Sequence, residues 1–130
     1  MVDITNEELA AAAERGRIAW EREARAKSAH YERETGRIVV ELKHNCFFSF
    51  PARLAQGLEH ATDDEIAEVE VIGLGYGLHW ETLDEDHAVP HLVAGLFGSG
   101  KYMASLVERG LIPADWTEDA FPSARRRAAS

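Results

Sequence analysis

The stretch from Ala29 to Pro51 constrains this chain most, because short strand-like segments follow one another there with turn residues between them. Ala29, Tyr31 and Arg33 alternate with His30, Glu32 and Glu34, after which Glu34-Thr35-Gly36-Arg37 supplies a turn. Ile38-Val39-Val40-Glu41-Leu42 is β-branched and apolar, the composition of a second strand. His44-Asn45 makes another short turn, and Cys46 to Phe50 reads as a third strand stopped by Pro51, which has no N–H to give to a ladder. A three-stranded antiparallel meander is the expectation, and 130 residues leave room for one hydrophobic core around it.

The flanks add helices and more strands. Thr5 and Glu8 have capping-box spacing, Ile4 and Leu9 stand at hydrophobic-staple positions, and Asn6 to about Arg25 is rich in Ala, Glu and Arg. Leu9, Ala13, Gly16 and Trp20 form a thin apolar stripe, so Trp20 is the expected anchor, on the sheet or on a partner. Glu21 with Arg25 and Glu23 with Lys27 are spaced for helical ion pairs. Ala52 to His60 reads as a helical turn, Thr62 and Glu65 repeat the capping box, and Ala67 to Ile72 alternates as a fourth strand. Gly73-Leu74-Gly75-Tyr76-Gly77 lacks the Lys-Ser/Thr pair and helix start of a phosphate loop, and is expected to be a bulged fifth strand ending in Leu78-His79-Trp80. Glu81 to Ala88 reads as an acidic loop, Val89 to Phe97 as a helix, and Lys101 to Arg109 as a last helix before Gly110.

The predicted fold class is α+β, with a small antiparallel sheet of about five strands, an N-terminal helix and one or two C-terminal helices. Residues 1–26 form the amphipathic helix, 27–110 a single α+β domain and 111–130 a flexible tail. Ile38, Val40, Phe48, Leu54, Val69, Val71, Trp80 and Leu92 are the expected core, and Phe47, Phe50, Tyr76 and Phe97 are most simply core as well. Cys46, the one cysteine, excludes an internal disulfide and reads as a small buried hydrophobe. No window approaches the roughly 18 apolar residues of a membrane span, and the acidic N-terminus lacks the plan of a signal peptide, so the expectation is a cytoplasmic protein with no membrane partner.

Charge is unevenly placed: 14 basic stand against 23 acidic side chains, for a formal net charge of -9. Between Arg53 and Lys101 there is no Lys or Arg, while ten acids fall inside that window. Such a run is a solvated face or a surface complementary to a basic protein. In the second case Glu81, Asp84, Glu85 and Asp86 are the expected rim and Trp20 the apolar anchor. Direct nucleic-acid binding is not expected, since it needs clustered Lys and Arg and only the first helix and Arg125-Arg126-Arg127 offer them. A homodimer stays open.

Neither enzyme nor cofactor follows from the residue pattern. His79, Glu81, Asp84, Asp86, His87 and His91 lie close in sequence, and His87 with His91 is the candidate pair should a metal be bound, but Pro90 falls between them and no H-E-x-x-H motif is present. Cys46 with His44 makes a poor nucleophile and base because they flank a turn, and Asp84 with Asp86 fits loop and helix-capping roles better than acid–base catalysis. No metal site and no catalytic residue are predicted.

Tyr76-Gly77-Leu78-His79-Trp80-Glu81-Thr82-Leu83-Asp84-Glu85-Asp86-His87-Ala88-Val89-Pro90 resembles the signature of the bacterial family called domain of unknown function 2442. In that signature a hydrophobic-His-Trp strand end is followed by Leu-Asp-x-Asp, then Val and a leucine-bearing helix. The resemblance runs back through Phe48 to Pro51, Ala61-Thr62 and the Val69 to Ile72 strand, covering about Ala26 to Phe97. It implies a small α+β domain without established catalytic activity, similar to the antitoxin half of a two-gene module beside a small basic toxin-like protein. A protein-binding role is the functional expectation, with an acidic nucleic-acid mimic that occupies a basic groove as the alternative and a metal-dependent enzyme behind both.

Overall fold

The computed structural model describes residues 5–114; Ile4 and the tail from residue 115 on, with Trp116, Phe121 and Arg125 to Arg127, lie outside the described residues. Two compact units divide the chain, one running to Phe97 and the other beginning at Gly98.

The first unit opens with helix α1, Asn6–Arg22, fixed at its start by the expected capping box: the Glu8 amide donates to Thr5 Oγ1 at 3.0 Å and the Thr5 amide to Glu8 Oε2 at 3.3 Å. The helix buries none of its residues. It stops before Arg25 and Lys27, so the expected Glu21–Arg25 and Glu23–Lys27 pairs do not form; Arg17 instead bridges Glu14 and Glu21, each at 2.6 Å, and Arg25 turns back to Glu23.

Strands β1 (Ser28–Glu32), β2 (Arg37–Glu41) and β3 (Phe47–Pro51) form the expected meander, in the order β1-β2-β3. Ile38 lies opposite Phe50 and Val40 opposite Phe48, which sends one apolar face inward. Cys46 is exposed rather than buried, because it closes the Lys43–Asn45 turn and precedes the strand; Phe47, at the strand's mouth with outward parity, is 60% exposed.

A second three-stranded antiparallel sheet follows, in place of a single sheet of five strands: β4 (Glu70–Ile72), β5 (Gly77–Trp80) and β6 (Glu85–Ala88). Splitting the strands between two sheets lets the inner faces of both supply one core. Ile38, Val40 and Phe50 from the first meet Leu78 and Trp80 from the second, with Leu58, Ile66, Val89 and Leu92. Of the remaining expected core, Phe48, Val69 and Val71 are only partly buried against it, Leu54 is half-buried, and Tyr76 is exposed because it falls in the turn before β5. Buried Trp80 donates its indole N–H to the Ile66 carbonyl at 3.0 Å.

Between the sheets, helix α2 (Asp63–Ile66) carries the expected Thr62–Glu65 capping box. Its last turn takes up Ala67 to Val69, which shortens β4 from the expected Ala67–Ile72. Gly73-Leu74-Gly75 is a tight turn and not a bulged strand, with all three residues left-handed. Half of the expected acidic loop is β6, since pairing with β5 outweighs the weak strand preference of Glu85 and Asp86. Helix α3 (Val89–Val93) ends well short of Phe97, where Gly95 enters the left-handed region.

In the second unit, Ser99 caps helix α4 (Gly100–Glu108), which buries Tyr102 and Leu106 on one side. Among the described residues no helix is long and apolar enough to cross a membrane.

Candidate functional site

The parity of β5 decides which side chains meet. Leu78 and Trp80 point into the core, so His79 between them points out, and the ladder sets Glu70 of β4 and Asp86 of β6 directly opposite it. Glu81 follows His79 by two residues and returns to the same side. The His79 Nδ1–H donates to Asp86 Oδ1 at 2.5 Å, Nε2–H donates to Glu81 Oε2 at 2.7 Å, and Glu70 Oε1 lies 4.0 Å from Nε2. The hydrogen bonds to Glu81 and then Asp86 favour the charged ring and raise the His79 pKa to about 9. At neutral pH the cluster is therefore an imidazolium ringed by three exposed carboxylates, with a net negative charge.

Glu70, His79 and Glu81 also present three ligand-type atoms within 4.8 Å of one another. A divalent cation there would have to displace the Nε2 proton that Glu81 holds, so the geometry is first of all that of an ion-pair cluster. The expected metal pair is not assembled in the same way: His87 points inward, with Nε2 2.9 Å from the Gln56 carbonyl and its ring edge-on to Trp80, while His91 is exposed on α3.

The four acids expected as one rim divide. Glu81 and Asp86 join His79. Glu85 has inward parity and its side chain lies over Gly57, where an added Cβ would come within 2.2 Å of Glu85 Cδ. Asp84 takes a left-handed conformation, φ 51°, in the Glu81–Asp84 turn, and Asp86 caps no helix, since Ala88 at the start of α3 provides no side-chain cap. Just outside the cluster, Glu68 accepts from the Thr82 hydroxyl at 2.8 Å.

Trp20 lies elsewhere. It is 43% exposed and lines a groove of about 300 Å³ with Arg25, Lys27, Lys43, His44, Asn45 and Leu74 among its walls. Leu74 sits at the turn end of the β4–β5 hairpin, whereas the Glu70–His79 pair sits at its open end.

Both sites stand on a small α+β scaffold of two three-stranded sheets that share one core. The chain belongs to the family described as protein of unknown function (DUF2442), whose model matches residues 26–98. Two solved structures are similar. One is a crystal structure of a protein of unknown function from Rhodospirillum rubrum, 54% identical, aligning over 62% of this chain and 98% of its own with a TM-score of 0.60. The other is a solution NMR structure of an uncharacterized protein from Chromobacterium violaceum, 31% identical over 81% of this chain and 95% of its own, with a TM-score of 0.61. No curated protein matches the chain. Helix α1 precedes the matched segment, and α4 follows it.

Proposed function

We propose that this chain is a non-enzymatic protein-binding domain that receives a basic partner on the outer face of the second sheet, in the manner of an antitoxin in the cytoplasm. The observation that carries this reading is the convergence of Glu70, Glu81 and Asp86 on His79 from three strands and a turn. Because the cluster is exposed, its charge acts through the field that steers encounter and selects partners more than through contact energy. Asp84 and Glu68 extend the same potential at the rim. Among the described residues the ion pairs of Glu70, Glu81 and Asp86 are those with His79, so one imidazolium stands against three carboxylates.

Co-expression with small basic proteins encoded beside its gene tests the partner class, and kinetics on a complex so obtained test the site. Glu70→Gln with Glu81→Gln and Asp86→Asn should slow association about tenfold at low salt and flatten its dependence on ionic strength, because exposed charges are screened beyond about 8 Å at physiological salt. A melting curve of the free variant separates this from loss of fold. Association unchanged in rate and salt slope, or no neighbouring basic protein that binds, overturns the reading.

A further inference from the structure

We infer that the groove at Trp20 is a second docking site, built for an acidic peptide segment of a partner in which a carboxylate stands next to an apolar side chain. Its walls come from the end of α1, the segment leading into β1, the end of β2 with its turn, and the β4–β5 turn. Three cations, Arg25, Lys27 and Lys43, line it against Glu41 alone, in a chain whose formal net charge is -9. Glu41 lies 3.6 Å from Lys27, and Glu23 pairs with Arg25 from outside the groove, so the local sign is positive where the molecule as a whole is negative.

The apolar half is equally specific. Leu74 is 80% exposed and held at φ 54°, a conformation that a branched side chain adopts only against strain. Also in the lining, His44 and Asn45 are successive left-handed residues. The Arg25 guanidinium lies 4.8 Å from the Trp20 ring and 5.4 Å from the Tyr76 ring, so one cation holds two exposed aromatics in place. The Glu23 ion pair and the two ring contacts hold Arg25 in the wall, with its Nε buried and unpartnered. Lys43 Nζ donates to the Trp20 carbonyl at 2.6 Å and also lies 5.7 Å from that ring. Exposed Trp20, with Tyr76 beside the groove, over a largely buried Arg25 has the side-chain types enriched in interface hot spots. Charge complementarity selects an acidic occupant, since a basic segment would meet Arg25, Lys27 and Lys43.

Amide and indole NMR shifts of the full chain, titrated with acetyl-Gly-Asp-Leu-Asp-Phe-Gly-amide, test the inference beside two counterparts in which both Asp are replaced by Asn or by Lys. The acidic peptide should shift the Trp20 indole and the Lys43, Asn45 and Leu74 amides while leaving His79 and Asp86 unmoved. The Asn peptide should bind about fivefold more weakly and the Lys peptide not at all in the groove, as loss of a partly exposed ion pair implies. Leu74→Gly relieves the left-handed strain, so it should melt at or above the temperature of the parent chain while losing affinity; Lys43→Gln should lose affinity as well. Three peptides that act alike, shifts confined to the His79 face, or no saturable shift at millimolar peptide would each overturn the site. The basic-partner reading of the His79 face stands or falls separately, on the association rates of the carboxylate variant.

Discussion

The two sheets share a topology, three strands in sequence order and antiparallel throughout, yet differ in what their faces hold. Strands β1 to β3 are five residues each, and their stabilising contacts are cross-strand pairs such as Ile38 with Phe50. Strands β4 to β6 have only three or four residues, and place an ionic cluster on the outer face directly behind Leu78 and Trp80. A short strand cannot hold its register by apolar alternation alone. In the second sheet, tight turns and a few large buried side chains must do so, which leaves the outer face free for charge. The comparison also separates two kinds of exposed site: carboxylates on a sheet face, and an aromatic groove at a hairpin turn.

The largest expected effects test whether both sheets rest on one core. Phe50→Ala in the first and Trp80→Ala in the second should each lower unfolding free energy by about 3–5 kcal/mol, measured by denaturant titration. Trp80→Ala should sit at the upper end, because it also removes the indole donor from the Ile66 carbonyl, which keeps only the longer bond from the Val69 amide at 3.3 Å. A Trp80→Ala cost below about 1 kcal/mol would break the comparison, because the second sheet would then be an appendage of the first.

An intermediate effect distinguishes the turns. In the first sheet, Gly36 is left-handed at φ 72° with nothing within 4 Å of an added Cβ, so Gly36→Ala should cost only the conformational strain, about 1 kcal/mol. Gly75, at φ 88°, would place a Cβ 2.5 Å from the Ala26 carbonyl oxygen, while its own carbonyl accepts from the Ala26 amide at 2.8 Å. Backbone must move there, and Gly75→Ala should cost about 2–3 kcal/mol by thermal melt. Equal losses at the two glycines would mean that the β4–β5 turn is not pinned against the segment leading into β1.

How much of this could be read from the residues follows the same division. The first meander was legible because its strands are long enough for β-branched runs and turn residues to show, and both capping boxes were legible because three-residue spacing is local. In the second sheet β4 is legible as a strand but too long at its start, and β6 is not legible, because Glu85 and Asp86 argue against a strand until β5 pairs with them. His79, Glu81 and Asp86 stood out as a constellation in the sequence. Glu70 did not, because only the ladder register brings it opposite His79. Leu74 gave no signal at all, since nothing in a leucine's identity announces a positive φ.

The smallest effect concerns His79, and it sharpens the contrast between apolar and ionic faces. Its pKa rises from an ordinary value of 6.5 to about 9, through the hydrogen bonds to Glu81 and Asp86. Because the folded chain holds this proton more tightly than the unfolded one, the ring's contribution to stability is fully present below about pH 6.5 and is lost as pH rises through about 9. The exposed carboxylates keep that contribution modest. Melting temperatures between pH 6 and pH 10 should therefore decline more steeply for the parent chain than for His79→Gln, and the difference between the two curves removes the titration of every other group. A proton NMR titration of the ring should give a midpoint near 9. If the midpoint stays near 6.5 and the two melting curves run parallel, Glu81 and Asp86 do not grip the imidazolium, and the outer face of the second sheet is a set of independent surface charges.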